Sequence, residues 1–168
     1  FVLKYMIDFD RSFASSPRAE FWDYIKNKKT PCEMRISSGN KFWFICDNCA
    51  CNHSFETPLN DIAKGQWCPY CVNRKLCKDI NCTQCHEKSF ASSPRAVFWD
   101  YVKNVKKTPR EVSKGSGKKF WFDCHECEHS FESILKNVTK LNSWCPYCSN
   151  PPQRMCEDMN CTWCHEKS

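Results

Sequence analysis

No stretch of this 168-residue chain approaches the roughly 20 consecutive apolar residues that a membrane-spanning helix needs. The apolar opening, Phe-Val-Leu-Lys-Tyr-Met-Ile, ends at Asp8, Asp10 and Arg11 with no small-residue cleavage site, so no secretory signal is read there. The first residue is Phe rather than Met, and the sequence is expected to be a piece or processed product of something longer. There is no Ser/His/Asp set, no phosphate-binding glycine loop and no carboxylate pair that recurs along the chain. Catalysis is therefore not expected, nor is a small-molecule substrate or a membrane partner. Nothing in the pattern indicates base-specific reading of a nucleic acid.

Cysteine, by contrast, is abundant: 16 residues, close to a tenth of the chain. Cys46-Asp-Asn-Cys49 is followed after 18 residues by Cys68-Pro-Tyr-Cys71. The arrangement returns as Cys124-His-Glu-Cys127, 17 residues, and Cys145-Pro-Tyr-Cys148. Two Cys-x-x-Cys turns at this separation place four thiolates around one tetrahedral ion, the signature of a closed structural zinc site. Disulfides are the weaker reading, because the pairs recur in register with His nearby. Zinc thiolates imply an intracellular reducing compartment: cytosol, nucleus, or a particle assembled there.

A second cluster follows each pair of turns: Cys77, Cys82 and Cys85, echoed by Cys156, Cys161 and Cys164. Three thiolates need a fourth ligand. His86 and His165, the adjacent residues, are preferred, with His53 and His129 as alternatives that otherwise read as supporting or packing residues. Four zinc ions are expected, two per module. Cys32 and Cys51 have no counterpart in the second copy and read as free thiols.

The chain repeats itself. Ser12-Phe-Ala-Ser-Ser-Pro-Arg-Ala19 recurs letter for letter as Ser89 to Ala96, and Phe21-Trp-Asp-Tyr24 as Phe98 to Tyr101. Lys41-Phe-Trp-Phe44, His53-Ser-Phe-Glu56 and Trp67-Cys-Pro-Tyr-Cys71 also return. This divides the chain into a lead-in, 1–11, and two zinc modules, 12–88 and 89–168. The fold class expected is small, metal-dominated α+β, a tandem repeat of metal-stapled modules. Each module is expected to open with a helix capped by Ser16-Pro17, carrying Ala19, Phe21, Trp22 and Ile25 at helical spacing and ending near Asn27 to Pro31. A β-hairpin, 33–36 against 41–45, is expected next, turning on Ser37 to Asn40. The segment at His53 reads as a further short strand. Leu59, Ile62 and Gly65 suggest a short helix, with Leu135, Val138 and Leu141 in its place in the second copy.

The formal charge is +6. Fourteen thiolates and four zinc ions would bring the loaded protein close to neutral, so any argument for nucleic acid rests on local patches. Candidate phosphate contacts are Arg18, Lys28, Lys29, Arg35 and Lys41, echoed by Arg95, Lys106, Lys107, Lys114, Lys118 and Lys119. The aromatic strands Phe42 to Phe44 and Phe120 to Phe122 read as core ahead of a stacking platform. His53-Ser-Phe-Glu beside a cysteine turn invites comparison with His-Asn-His nucleases, but no shared Asn or His follows in both copies.

Phe-Trp-Phe-x-Cys-x-x-Cys, then His-Ser-Phe-Glu and Trp-Cys-Pro-Tyr-Cys, resembles the zinc-ribbon/treble-clef repeat family of bacteria and large nucleocytoplasmic DNA viruses. The tandem copies and linking Cys-x4-Cys-x2-Cys segment look like the viral form. The resemblance implies that Cys46, Cys49, Cys68, Cys71, Cys124, Cys127, Cys145 and Cys148 hold zinc, and that nucleic-acid binding is the expected activity. Other virion or capsid proteins are the alternative partners.

Overall fold

The computed structural model describes residues 7–48, 52–140 and 144–166. The chain divides into two compact units, Phe1–Cys77 and Lys78–Ser168. This division falls before the repeat boundary at 88/89. The helix that ends the first repeat hydrogen-bonds forward: Ser89 N–H bonds to Cys85 O, and Lys114 N–H to Lys88 O.

In the first unit, strand β1 (Lys41–Ile45) pairs antiparallel with β2 (Ser54–Pro58), and α1 (Leu59–Ala63) follows directly. In the second, α2 (Thr83–Lys88) precedes β3 (Lys119–Asp123) and β4 (Ser130–Ile134), which pair the same way. They are followed by α3 (Leu135–Thr139) and, after the last cysteine turn, α4 (Thr162–His165). No helix among the described residues is long and apolar enough to cross a membrane.

The expected hairpin, 33–36 against 41–45, is corrected: β1 pairs with the His53 segment instead. Thr30 caps a 3₁₀ turn, Pro31–Glu33, through a capping box with Glu33, and this removes the incoming strand. Ser37 to Asn40 turn the chain towards the start of α1, where Asn60 N–H bonds to Ser38 O. The loop that closes the real hairpin carries the first cysteine turn.

The expected opening helix is corrected as well. Ser16 does cap Pro17–Phe21, its hydroxyl accepting the Arg18 N–H at 3.2 Å, but the segment is 3₁₀ and stops at once. Trp22 has extended backbone (φ −64°, ψ 125°) and bridges to Phe44. Ile25, assigned to the apolar stripe, is 97% exposed. The apparent helical spacing arose because one residue, Trp22, faces the core through strand pairing. The same holds at Pro94–Phe98 and Trp99.

The first core gathers Phe13, Trp22, Phe44, Phe55, Leu59 and Ile62 around Cys46 and Cys68; the second repeats it with Phe90, Trp99, Phe122, Phe131, Leu135 and Val138. The Ser-Phe-Ala-Ser motif exists to seat its Phe. Phe13 is fully buried, edge-on to Phe44 at 5.5 Å, and its N–H bonds to Met34 O at 2.7 Å. Burying such a side chain contributes roughly 1.5–3 kcal/mol. Units of this size commonly add a structural metal to a core this small.

Candidate metal centres and a repeated basic groove

The hairpin sets the geometry of the metal centres. The ladder continues one step beyond β1 and β2: Cys46 N–H bonds to His53 O at 2.9 Å, and Cys124 N–H to His129 O at 3.0 Å. A cysteine and a histidine therefore leave the same end of the hairpin together. The residue before each histidine has a left-handed backbone, Asn52 at φ 44° and Glu128 at φ 58°. Both histidines follow that turn alike.

Cys124, Cys127, Cys145 and Cys148 have their sulfurs within 4.8 Å of one another, and Cys46, Cys68 and Cys71 do the same. Cys49, the fourth residue expected there, lies outside the described residues, as do Cys51 and Leu141. Cys124 Sγ is 3.5 Å from Cys148 Sγ, Cys127 Sγ is 3.5 Å from Cys145 Sγ, and Cys46 Sγ is 3.4 Å from Cys71 Sγ. A disulfide would bring sulfurs to about 2.05 Å. Four sulfurs at about 2.3 Å from one tetrahedral ion lie about 3.8 Å apart. The observed spacing is the second kind, and no described cysteine is in a disulfide.

The second type of centre joins His129 to Cys156, Cys161 and Cys164, again with donor atoms within 4.8 Å; the first repeat carries the same residue types at His53, Cys77, Cys82 and Cys85. His129 Nε2 lies 3.4 Å from Cys161 Sγ and 3.6 Å from Cys164 Sγ. A nitrogen and a sulfur on one tetrahedral zinc would be about 3.6 Å apart. The assignment of His86 and His165 as ligands is thereby corrected. Successive helical residues point about 100° apart, so a His next to Cys85 or Cys164 faces away from the cluster. His86 is exposed, and His165 Nε2 is directed at Met159 O at 2.8 Å.

The Cys-Pro-Tyr-Cys tyrosine orients the histidine. Tyr147 stacks on His129 with ring centroids 4.3 Å apart and planes within 18°; Tyr70 stacks on His53 at 4.5 Å. His129 Nδ1 is buried and has no protein hydrogen-bond partner, so stacking holds the ring. Cys82 is the N-cap of α2 and accepts the Cys85 N–H at 3.4 Å, which fixes both sulfurs on one side of the helix start.

Without a cation these clusters resist ionisation. Burial and the neighbouring Cys46 push the Cys68 thiol up to about 11, against backbone N–H groups that favour the thiolate. Burial and Cys127 push Cys145 up to about 12. Cys124 goes the other way: burial raises it, but N–H groups of Cys127 and Glu126 outweigh burial and hold it below the ordinary thiol value. One easily formed thiolate among reluctant thiols is a donor set that needs a divalent cation to be fully charged. The four Cys/His clusters, two per repeat, fit zinc in ligand type, number and spacing.

The basic residues separate into two groups. Arg18 lies 4.3 Å from the Trp67 ring centroid and pairs with Asp47 at 2.9 Å; Arg95 donates to Val138 O at 2.9 Å and covers Trp144. These two candidate phosphate contacts are occupied in packing. Arg35, Lys114 and Lys118 are exposed at the 37–40 and 114–117 turns. The remaining candidates converge. Lys26, Lys28, Lys29 and Lys41 line one open groove with Phe42 and Trp43, and Glu56 at its edge. Lys103, Lys106, Lys107 and Lys119 line its twin, about 330 Å³, with Phe120 and Trp121.

The sequence reading grouped Lys26 and Lys103 with the neighbouring lysines but did not place them over the strand tryptophans. Each places its ammonium over the indole of the strand tryptophan, at 4.4 Å from Trp43 and 4.5 Å from Trp121. It also missed Asn27 and Asn104, which hold the loop to the strand. Asn27 pairs with both the N–H and the C=O of Trp43, at 3.0 and 2.7 Å. The repeated Asp-Tyr-x-Lys-Asn, 23–27 and 100–104, was the available signal.

A cysteine turn closing a two-stranded hairpin, followed by a short helix and a second cysteine turn, defines a treble-clef zinc finger, here present twice. The chain belongs to the family described as "Probable Treble clef zinc finger domain", whose pattern matches residues 19–74 and 96–151. Those matches include every described residue of the four-cysteine centres, and His53 and His129, but stop short of the cysteines at 77–85 and 156–164. The chain is also similar to an uncharacterized protein of Acanthamoeba polyphaga mimivirus, 36% identical over 161 residues. That alignment covers 93% of this chain but 38% of the relative, so the chain spans about two fifths of that protein's length.

Proposed function

We propose that this is a non-catalytic, zinc-stabilised tandem module that binds nucleic acid through its two basic grooves. The observation that carries the reading is the duplication: the same four-lysine groove around the same aromatic pair appears in each unit. A charge patch is usually just a solvated face. Lysines drawn from separate segments, the 26–29 loop and the start of β1, and rebuilt in a second copy, favour a phosphate ligand. Each groove sets four lysines against two carboxylates, Glu56 and Asp23 in one unit and Glu132 and Asp100 in the other, with Lys26 and Lys103 paired to the aspartates, so about two phosphates can be neutralised per groove. Among the described residues no set of side chains is arranged for bond making or breaking.

Binding of labelled oligonucleotides, single- and double-stranded, at several salt concentrations tests this. A plot of log affinity against log salt should fall with a slope of about −1 to −2 for each groove engaged. No binding, or binding indifferent to salt, would sink the proposal. A second reading, a protein-interaction component of a virus particle, is favoured by the viral relative and by apolar side chains left in solvent, such as Val97 and Val105. Either role fits an intracellular reducing compartment, where zinc thiolates persist.

A further inference from the structure

Each unit spends an unusual amount of hydrogen bonding on a loop that buries almost nothing at its tip. In the first unit, Asp23 is only 5% exposed. Its Oδ1 accepts the N–H groups of Ile25 and Lys26, both at 3.1 Å, and its Oδ2 accepts the Ser54 hydroxyl at 3.0 Å. Lys26 Nζ donates to that same Ser54 Oγ at 2.8 Å, and Asn27 ties the end of the loop to Trp43. The second unit copies every bond: Asp100 to Val102, Lys103 and Ser130, Lys103 to Ser130, and Asn104 to Trp121.

The tips these bonds hold are Tyr24, 63% exposed, and Ile25, 97% exposed, matched by Tyr101 at 62% and Val102 at 84%. Packing does not explain a rigid loop whose apolar residues face water. A ligand does. A fixed loop presents its rings without the ordering cost that a flexible one would incur on binding. The same loop carries Lys26, Lys28 and Lys29, and its twin Lys103, Lys106 and Lys107.

We infer that the loops 23–29 and 100–107 select single-stranded over double-stranded nucleic acid, with Tyr24 and Tyr101 stacking on unpaired bases while the groove lysines hold the adjoining phosphates. This rests on the nucleic-acid reading above. Lysines alone would serve a duplex as well as a single strand, because both display phosphates. An exposed phenol ring gains only where base faces are open, and in a duplex they are stacked away. The grooves are lined by lysine and not arginine, so their charges are points without the planar fork that reads guanine. The selectivity is therefore for strandedness and not for sequence.

The test uses the full zinc-loaded chain, a fluorescent oligodeoxythymidylate and a random-sequence duplex of equal length. The single strand should bind at least tenfold tighter. The double variant Y24A/Y101A should lose roughly ten- to a hundredfold of single-strand affinity, from base–aromatic stacking, while Y24F/Y101F keeps it. Both tyrosines are exposed, so zinc content and folding should be unchanged in either variant. Equal affinity for duplex, or an Ala variant that binds like the parent, overturns the inference and leaves the groove proposal standing. Failure to bind either nucleic acid removes both. Capture by phosphatidylserine vesicles without oligonucleotide binding would assign the loops to a membrane surface and overturn the inference as well.

Discussion

Replacing His129 by Ala separates two accounts of the second metal centre in the Lys78–Ser168 unit. In the geometry described here, His129 Nε2 sits 3.4 and 3.6 Å from two of three cysteine sulfurs, the spacing of co-ligands on one zinc. Structural zinc sites bind with about 10–16 kcal/mol, so one ligand of four represents about 3–4 kcal/mol, or a few hundredfold in affinity. His129→Ala should weaken one zinc of the second unit by that amount, measured by competition with a chromophoric chelator, and leave the four-cysteine site intact. His165→Ala, whose side chain is directed at Met159 O, should change affinity by no more than a few-fold. A His165 variant that loses zinc while the His129 variant keeps it would refute the argument from hairpin register.

Two further outcomes follow from the same structure. Zinc uptake by the metal-free protein near neutral pH should release at least two protons at the Cys124 centre, because burial holds the Cys145 and Cys148 thiols protonated there. Cys145 is held up at about 12 and Cys148 higher still; titration in buffers of different ionisation enthalpy counts the protons, and fewer than two would contradict the picture. Replacing Asp100 by Ala strips the bonds to Val102, Lys103 and Ser130, and should cost about 2–4 kcal/mol in denaturant unfolding of the zinc-loaded protein. Burial raises the Asp100 carboxyl, but its hydrogen bonds and Lys103 outweigh burial and hold it below the ordinary value of 3.8. Its contribution is therefore fully present above pH 4 and is lost only on further acidification. The difference between variant and parent should stay constant from about pH 8 to about pH 5, and a gap that closed in that window would count against it.

The parts of the fold legible in sequence were the local ones. Cys-x-x-Cys is a turn whose geometry depends on four residues, so its spacing alone carried the zinc reading. The repeat was visible because both copies keep their seated Phe, their Trp-Asp and their second cysteine turn. The histidine assignment failed because it depends on register between segments far apart in sequence. Only once β1 pairs with β2, and Asn52 or Glu128 turns the chain, does the histidine reach the cluster. The helix reading failed at Trp22 for a related reason. A single residue buried through a bridge to Phe44 imitates one face of a helix, while Ile25 beside it stands in water. The groove was half visible: its lysines were noted as two clusters, and the fold of the 23–29 loop onto β1 made them one.

Metal stoichiometry tests the central claim most directly. The account holds that each repeat has two metal centres, one of four cysteines and one of three cysteines and a histidine from the hairpin. Native mass spectrometry with elemental analysis, on protein purified under reducing conditions, should find four zinc ions per chain. Two per chain, with Cys77, Cys82 and Cys85 and their counterparts open to thiol alkylation, would contradict it.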